Sequence, residues 1–491
     1  MEKKFIGFDL GAESGRCIVA TLRDQRVVLQ EVYRFTTHSV KYEEGFHWDI
    51  LAIYQEIVEG LVNARKEFGP SFDGIGIDAW GVDYGLVDNE GRVLGYPYHY
   101  RDDRTDHMMA HAFKIVPKEK IFSKVGIQFA QFNTLFQLLA ERKTNPNFLD
   151  FPVTMLLIPD FLNFMLTGIK NAEFTIASTT SLASPHTRDW CWELIDAFGL
   201  PREIFPKMVE PGTKLGPLLP SIVAKSGLDP TIPVFATAGH DTASAVVSVP
   251  ASGRKWAFLS SGTWSLMGIE INQPLLAAEA MAHNFTNEGG ILGTTRFLKN
   301  IIGLWPVQEC KRYWCERSEE YDYWELATKA KTNGFAKAWI DLSDPRFLKP
   351  GDMPEKVIAY LKETHQAIKP GIGFIIRVIL ESLAFNYRNT IREIEDVSGD
   401  RIELIHAVGG GIRNELLTEL AADATGCTVL AGPVEGAIIG NIGVQAIASG
   451  AVPDLQAWRR IVANSFKLEK IDPVNTEYFN ENEKNYDRIL D

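Results

Sequence analysis

Cysteine is scarce in this chain: Cys17, Cys191, Cys310, Cys315 and Cys427 are scattered over 491 residues. So few, and odd in number, they build no disulfide framework. The nearest pair, Cys310 and Cys315, has no second pair and no histidine cluster beside it, so a zinc site is not expected. All five read as reduced packing residues. Long apolar runs are also missing. The longest apolar neighbourhood, Val153 to Gly168, is interrupted by Asp160 and Asn163, and a bilayer span needs roughly 18–20 unbroken residues. Glu2, Lys3 and Lys4 precede only four apolar-type residues before Asp9, so the apolar core of a secretory signal is absent and a cytoplasmic protein is expected. Positive charge is in deficit, with 50 Lys and Arg against 63 Asp and Glu and a net charge of −13. Nucleic-acid binding gains from counterion release at a basic surface. With no basic block present, no nucleic-acid partner and no membrane partner are expected.

What is present is a globular composition, 45% hydrophobic and 23% charged, which excludes disorder and collagen-like repeats. At roughly 100–200 residues per domain, the length allows two to four cores. Lys4 to Leu10, Arg16 to Leu22 and Val27 to Thr36 are short apolar runs separated by turns, a strand meander. Asp49 then caps a helix whose stripe is Ile50, Ile53, Tyr54, Ile57, Val58, Leu61 and Val62. Gly74 to Ile77 reads as a buried strand, and Gly85 to Val87 with Arg92 to Leu94 as a hairpin. Five prolines between Pro201 and Pro220 suggest a loop wrapping the surface. Ile232 to Ala238, Lys255 to Ser260, Trp264 to Ile269, Leu404 to Val408 and Val429 to Ala431 read as strands. Helix patterns cover Phe374 to Val397, Asn414 to Thr425 and Ala437 to Ser449, and the stretch from Asn475 reads as a solvated terminal helix. Alternating strands and helices give an α/β fold. Strand, hydroxyl-rich turn and strand recur at Phe5 to Ala20 and at Trp256 to Ile269. A duplicated architecture is expected, with domains 1–247 and 248–491 and an interdomain cleft.

Five places carry chemistry. In Asp9-Leu10-Gly11-Ala12-Glu13-Ser14-Gly15-Arg16 a carboxylate ends a strand. The turn after it has glycines that bring backbone N–H groups close to a ligand, with a hydroxyl and a guanidinium alongside. That set suits phosphate, with Asp9 holding Mg²⁺ through water; an ordinary hairpin turn accounts for it as well. Ser260-Ser261-Gly262-Thr263 is a second such turn, so that a nucleoside triphosphate could be clamped between two loops. Neither is a Walker loop, and no G-x-G-x-x-G follows the first strand. His240-Asp241-Thr242 lies where a strand gives way to a helix. Asp241 is a candidate general base for an alcohol, or a helix cap, and His240 a contact or a structural histidine. Gly409-Gly410-Gly411 could let a nucleoside lie against backbone or be a bare turn. Trp80-Gly81-Val82-Asp83 offers an aromatic wall and a carboxylate suited to a polyol, or a core Trp beside a turn.

The chain resembles the FGGY carbohydrate kinases of the actin, hexokinase and Hsp70 ATPase superfamily. The strings D-L-G-A-E-S-G-R at Asp9, G-I-D-A-W-G-V-D-Y at Gly76, Y-R-D-D-R-T at Tyr100 and G-I-Q-F-A-Q-F-N-T-L-F-Q-L at Gly126 carry the likeness. So do H-D-T-A-S-A-V at His240, L-S-S-G-T-W-S-L-M-G at Leu259, N-F-T-N-E-G-G at Asn284, L-K-N-I-I-G-L-W at Leu298, V-G-G-G-I-R-N at Val408 and A-G-P-V-E-G at Ala431. The resemblance implies two RNase H-like domains, ATP with Mg²⁺, and a ketose as the small-molecule substrates. The activity implied is phosphorylation of L-rhamnulose at its 1-hydroxyl; L-fuculose, ribulose and xylulose, or a non-catalytic sugar and nucleotide binder, are the alternatives. It makes Asp241 the proton acceptor and puts Gly81, His240, Thr242 and Asn300 on the sugar. Ala12, Glu13, Ser14, Gly15, Arg16, Thr263, Gln308 and Gly410 serve the nucleotide. Glu13 stands where a small hydroxyl residue is common, so its side chain is expected to point away from phosphate. Gly436 replaces a common alanine.

Overall fold

The computed structural model describes residues 2–43, 45–253, 255–369 and 371–490. The main elements are β1 (Lys3–Leu10), β2 (Ser14–Arg23), β3 (Arg26–Thr36), α1 (Ile50–Phe68), β4 (Gly74–Ala79), β5 (Thr213–Pro217), β6 (Pro233–Ala236) and α2 (Asp241–Val247). There follow β7 (Trp256–Ser261), β8 (Trp264–Ile271), β9 (Thr286–Gly289), β10 (Thr295–Ile302), α3 (Trp305–Cys315), α4 (Ile372–Ser398), β11 (Leu404–Val408), β12 (Thr428–Ala431), α5 (Gly436–Ala448) and β13 (Glu469–Ile471). The chain packs into two compact units. One comprises 1–250, 270–298 and 436–465, the other 251–269, 299–435 and 466–491. The single boundary expected after residue 247 follows chain order, whereas the packing returns to the first unit twice.

In the first unit the sheet order is β5–β6–β4–β1–β2–β3. β1, β2 and β3 are antiparallel, and β4 and β6 join them in parallel. The register sets Asp9 opposite Arg16 on one side and Asp78 on the other. Against one face lies α1, whose cap is Asp49 accepting from the Ala52 N–H; Ile50, Ile53, Ile57, Leu61 and Ala64 meet Phe8, Cys17, Val19, Ile75 and Ile77. Against the strands also packs α5, late in the chain. Glycine makes the approach possible: a Cβ on Gly7 would lie 2.4 Å from the Ile438 side chain, and one on Gly76 would lie 2.8 Å from Asn441. Gln445 Nε2 donates to the Ile6 carbonyl at 3.0 Å. A second core in this unit gathers Leu135, Phe136, Leu138, Phe174, Ile176, Leu194 and Ile204.

The second unit repeats the pattern, with order β10–β8–β7–β11–β12–β13. β7 pairs with β8 antiparallel and with β11 parallel, β11 with β12 parallel, and β13 closes the edge antiparallel. The duplication read from the two turns is thus a duplication of sheet topology.

Three expectations change. The proline-rich stretch is not all loop, because Thr213–Pro217 forms β5, an edge strand where proline removes no bond from the sheet interior. The terminal helix, Thr476–Asp487, buries Phe479 and Tyr486, and the Tyr486 ring stacks on Phe385 of α4 at 4.6 Å. Its polarity belongs to one face only. Cys315 is exposed while the other four cysteines, all free, are buried. Among the described residues no helix is long and apolar enough to cross a membrane.

Candidate active site

In the first unit, the β1–β2 turn is closed by the Gly11 N–H donating to the Ser14 carbonyl at 2.9 Å. Thr37 fastens it from β3's end, its hydroxyl donating to the Gly11 carbonyl and its N–H to the Glu13 carbonyl. Gly15 is needed where it stands, since a Cβ there would lie 2.3 Å from the Phe35 ring. Ala12, Ser14 and Arg16 are half-buried on this turn, and the Glu13 side chain is exposed. Arg16 Nη2 donates to Asp9 Oδ2 at 2.5 Å.

Beside Asp9, at the same register on β4, is Asp78, a residue to which the sequence reading gave no role. It is fully buried; Oδ2 accepts from Asn441 at 2.7 Å and Oδ1 has no hydrogen-bond partner. Burial holds its carboxyl well above the usual range, and the charges of Asp9 and Asp241 push the same way. Burial of an unpaired carboxylate oxygen costs free energy unless something comes to meet it.

β6 delivers His240-Asp241 to the same end of the sheet. Ala79 donates to the Gly239 carbonyl at 2.9 Å, bridging the ends of the two strands. Asp241 opens α2. Its Oδ1 accepts from the Thr242 N–H at 2.5 Å and from the Thr242 hydroxyl at 3.1 Å, and lies 3.4 Å from His240 Nε2. Oδ2 has no hydrogen-bond partner among the described residues, and the side chain is 37% exposed. The cap of α2 is His240 and Asp241 its first residue, so Asp241 is no helix cap; one of its oxygens is tethered and the other is open. The Gly239 N–H is held by Glu173 Oε2 at 2.9 Å, and the His240 N–H by the Thr175 hydroxyl. Glu173 is buried, and burial raises its carboxyl to about 7.

Gly81 faces this loop. A Cβ there would come within 3.2 Å of Thr179 and 3.4 Å of His240 Nε2. The next residue, Val82, takes φ +67, a costly conformation for a β-branched side chain. Its N–H donates to the Thr179 hydroxyl at 3.1 Å, and its carbonyl accepts from Thr134 at 2.6 Å. The Trp80-Asp83 expectation needs correcting. Asp83 is wholly buried, and its carboxylate accepts from Trp48 Nε1 at 2.7 Å, Trp80 Nε1 at 3.1 Å, the Tyr100 N–H at 3.1 Å and Gln137 at 2.9 Å. Four donors occupy it, so it braces the wall rather than meeting a polyol. The wall itself is larger than Trp80: Trp48 packs on Trp80 at 4.2 Å and stacks on His99 at 4.0 Å. His99 is kept neutral, since burial and then Arg101 push it down to about 3. Trp48 and His99 were missed because an indole and an imidazole far apart in sequence carry no local signal.

In the second unit, Thr263 sits at the β7–β8 turn, where its carbonyl accepts the N–H groups of Gly303 and Trp305 at 3.1 and 3.2 Å. This ties the turn to the start of α3, which carries Gln308. Gln308 Oε1 is buried and unpartnered. The glycine triplet after β11 closes against the same turn. Gly409 has φ +90, and a Cβ on Gly411 would lie 2.2 Å from Ser261 Oγ, but one on Gly410 would meet nothing within 4 Å. Gly409 and Gly411 serve the packing, and Gly410 leaves an open, side-chain-free patch. The Thr263 turn is thus tied both to the helix that carries Gln308 and to the glycine triplet that includes Gly410. Asn300 lies on β10 in this unit, half-buried, while Gly81, His240 and Thr242 belong to the first.

The FGGY N-terminal domain of carbohydrate kinases matches residues 4–248 and the FGGY C-terminal domain residues 257–449. A rhamnulokinase of Bacteroides thetaiotaomicron is 41% identical over 473 residues, covering 96% of this chain and 96% of its own. One of Oceanobacillus iheyensis is 40% identical over 477 residues, covering 97% and 100%. Among solved structures, a gluconate kinase from Lactobacillus acidophilus superposes with TM-score 0.83 at 15% identity, over 100% of this chain and 98% of its own. Plasmodium falciparum glycerol kinase with ADP does so with TM-score 0.79 at 14% identity, over 100% and 98%. At such identities these two speak for the fold alone, a two-domain α/β fold. The curated relatives and both domain matches decide the rest: the chain belongs to the FGGY family of carbohydrate kinases.

Proposed function

We propose that the protein transfers the terminal phosphoryl group of ATP to the 1-hydroxyl of L-rhamnulose, giving L-rhamnulose 1-phosphate and ADP. The observation that carries the chemistry is Asp241, with Oδ1 fixed by Thr242 and Oδ2 open. Phosphoryl transfer to an alcohol requires a positioned acceptor for the hydroxyl proton and compensation of charge on the transferring group. Asp241 Oδ2 takes the proton as the sugar oxygen bonds to phosphorus and the bond to the ADP oxygen breaks. Gly81, His240 and Thr242, beside it, orient the sugar. The Trp48–Trp80 pair walls the sugar without offering Asp83 to it. Ser14, Arg16 and the amides from Ala12 to Gly15 hold phosphate; Thr263, Gln308 and Gly410 hold the nucleoside, with the bare Gln308 Oε1 free to accept from it.

The residues present fit a magnesium ion. Among the described residues no three acidic, His or Cys side chains form a metal cage, but Mg²⁺ with ATP uses one or two carboxylates, phosphates and waters. Asp9, and Asp78 with its unpaired buried oxygen, would hold it. When bound it would neutralise charge on the β- and γ-phosphates.

The sugar follows from the rhamnulokinases, about 40% identical along nearly the full chain. ADP release measured with L-rhamnulose, L-fuculose, ribulose, xylulose and glycerol tests it. L-Rhamnulose should give the highest kcat/KM; a clear preference for another sugar would replace the substrate and leave the kinase reading in place.

A further inference from the structure

Behind His240 lies a buried charge cluster that the steps above leave unused. Arg296 on β10 is completely buried. Its Nε donates to the Gly289 carbonyl at 2.9 Å, and Nη2 lies 3.1 Å from Glu288 Oε2 and 3.2 Å from His240 Nδ1. Glu288 Oε2 is itself 3.2 Å from that Nδ1. At the ring's other edge, Nε2 is 3.4 Å from Asp241 Oδ1. All four residues lie in the first unit.

The ring has three proton arrangements. With the proton on Nδ1 it faces Glu288, but an Arg296 N–H points at the same nitrogen, and the bare Nε2 confronts the Asp241 carboxylate. With protons on both nitrogens, the clash with Arg296 remains and a further charge is buried. With the proton on Nε2, Nδ1 accepts from Arg296, whose guanidinium is always a donor, and Nε2–H points to Asp241. Only this last arrangement lets the nitrogen at which the Arg296 N–H points accept it, although Arg296 Nη1 keeps no hydrogen-bond partner among the described residues. Glu288 completes it as the counter-charge of Arg296: burial would raise its carboxyl, yet the Arg296 guanidinium pulls it down.

We propose that Arg296 is a positioning residue for phosphoryl transfer: it fixes His240 as the neutral Nε2–H tautomer aimed at Asp241, with Glu288 anchoring the guanidinium. The inference rests on the reading of Asp241 as the proton acceptor. Its consequence is that the Nε2–H lies 3.4 Å from the oxygen already taken by the Thr242 N–H and hydroxyl, so that Oδ2 alone meets the sugar.

The test is an imidazole ¹⁵N–¹H correlation spectrum of the substrate-free full-length protein, with the His240 signals identified by their loss in His240→Gln. The expected spectrum has His240 Nδ1 at the position of an unprotonated nitrogen and Nε2 at that of a protonated one. The reverse pattern, or an imidazolium, overturns the proposal. Arg296→Lys should disturb that pattern and lower kcat about 10–100-fold, as loss of a partner behind a functional histidine does, with KM for ATP unchanged. A folded Arg296→Lys protein with full kcat also overturns it. If the lysine variant does not fold, the wild-type spectrum decides. Full turnover in Asp241→Asn is a separate failure, which removes the base and with it the role given to the ring, whatever the spectrum shows.

Discussion

Asn441 Nδ2 donates to Asp78 Oδ2 over 2.7 Å, although 363 residues of sequence separate them. The amide comes from α5 and the acid from the end of β4, so a helix near the C-terminus satisfies half of a buried carboxylate beside the phosphate turn. The other half, Oδ1, is buried without a hydrogen-bond partner among the described residues.

The same helix crosses α2 at Gly440, where an added Cβ would lie 1.6 Å from the Ser244 carbonyl oxygen. Gly440→Ala must push the helices apart, and overpacking of this kind costs about 3 kcal/mol. Because α2 begins with Asp241, kcat should fall along with the denaturation midpoint. Urea unfolding and ADP release together check this; an unchanged midpoint would refute the crossing.

Asp241→Asn removes the proton acceptor and preserves the side chain's shape. Turnover is expected to drop about 10²–10⁴-fold, the usual contribution of a positioned base. ATP binding measured by calorimetry should stay near its wild-type value, since the role proposed for Asp241 is toward the sugar hydroxyl. Undiminished ADP release would remove Asp241 from the chemistry.

Gly410 and Gly411 separate binding from packing. Gly410→Ala adds a methyl to open space and should leave unfolding within about 0.5 kcal/mol of wild type, while raising KM for ATP. Gly411→Ala forces its Cβ into Ser261 and should lower the melting temperature. Equal melting losses in both variants would show that Gly410 is structural as well.

Asp83 makes a pH-dependent prediction. Burial raises its carboxyl from 3.8 to about 6, against the opposing pull of Trp48, Gln137, Trp80 and the Tyr100 N–H. A folded-state value above the unfolded one means that the native protein binds the proton more tightly. The stabilisation is complete below pH 3.8 and is lost as pH rises through about 6, a swing of roughly 3 kcal/mol. The stability of wild type relative to Asp83→Asn should therefore grow as pH is lowered from 7 towards 4. Chemical denaturation of both proteins across that range checks it; a difference that is flat or shrinks on acidification contradicts it.

Much of this was legible from residue order. The strands at Leu404 to Val408 and near Val429 to Ala431 and the cap at Asp49 were readable because apolar runs and caps are local. Asp9, Asp241 and Gly410 stood out as candidates because strand ends followed by glycine or hydroxyl residues are local too. What was hidden depends on residues meeting across the fold. Asp83 reads as a polar handle beside Trp80, and only the arrival of Trp48, Tyr100 and Gln137 turns it inward. Asp78 looks like any residue of a buried strand until β1 sets Asp9 beside it. Arg296 and Glu288 lie within a hairpin whose alternation says nothing about the histidine it backs.

The first unit includes residues 436–465, and that sets an order on biosynthesis. While the ribosome is still producing residues 299–435, the faces of β1 and β4 around Gly7, Gly74 and Gly76 have no helix over them. A nascent chain halted before Gly436 thus presents a glycine-floored apolar sheet to its surroundings, the sort of surface that invites aggregation. Expression of residues 1–250 alone should yield insoluble material, since that fragment lacks both 270–298 and the helix-bearing 436–465.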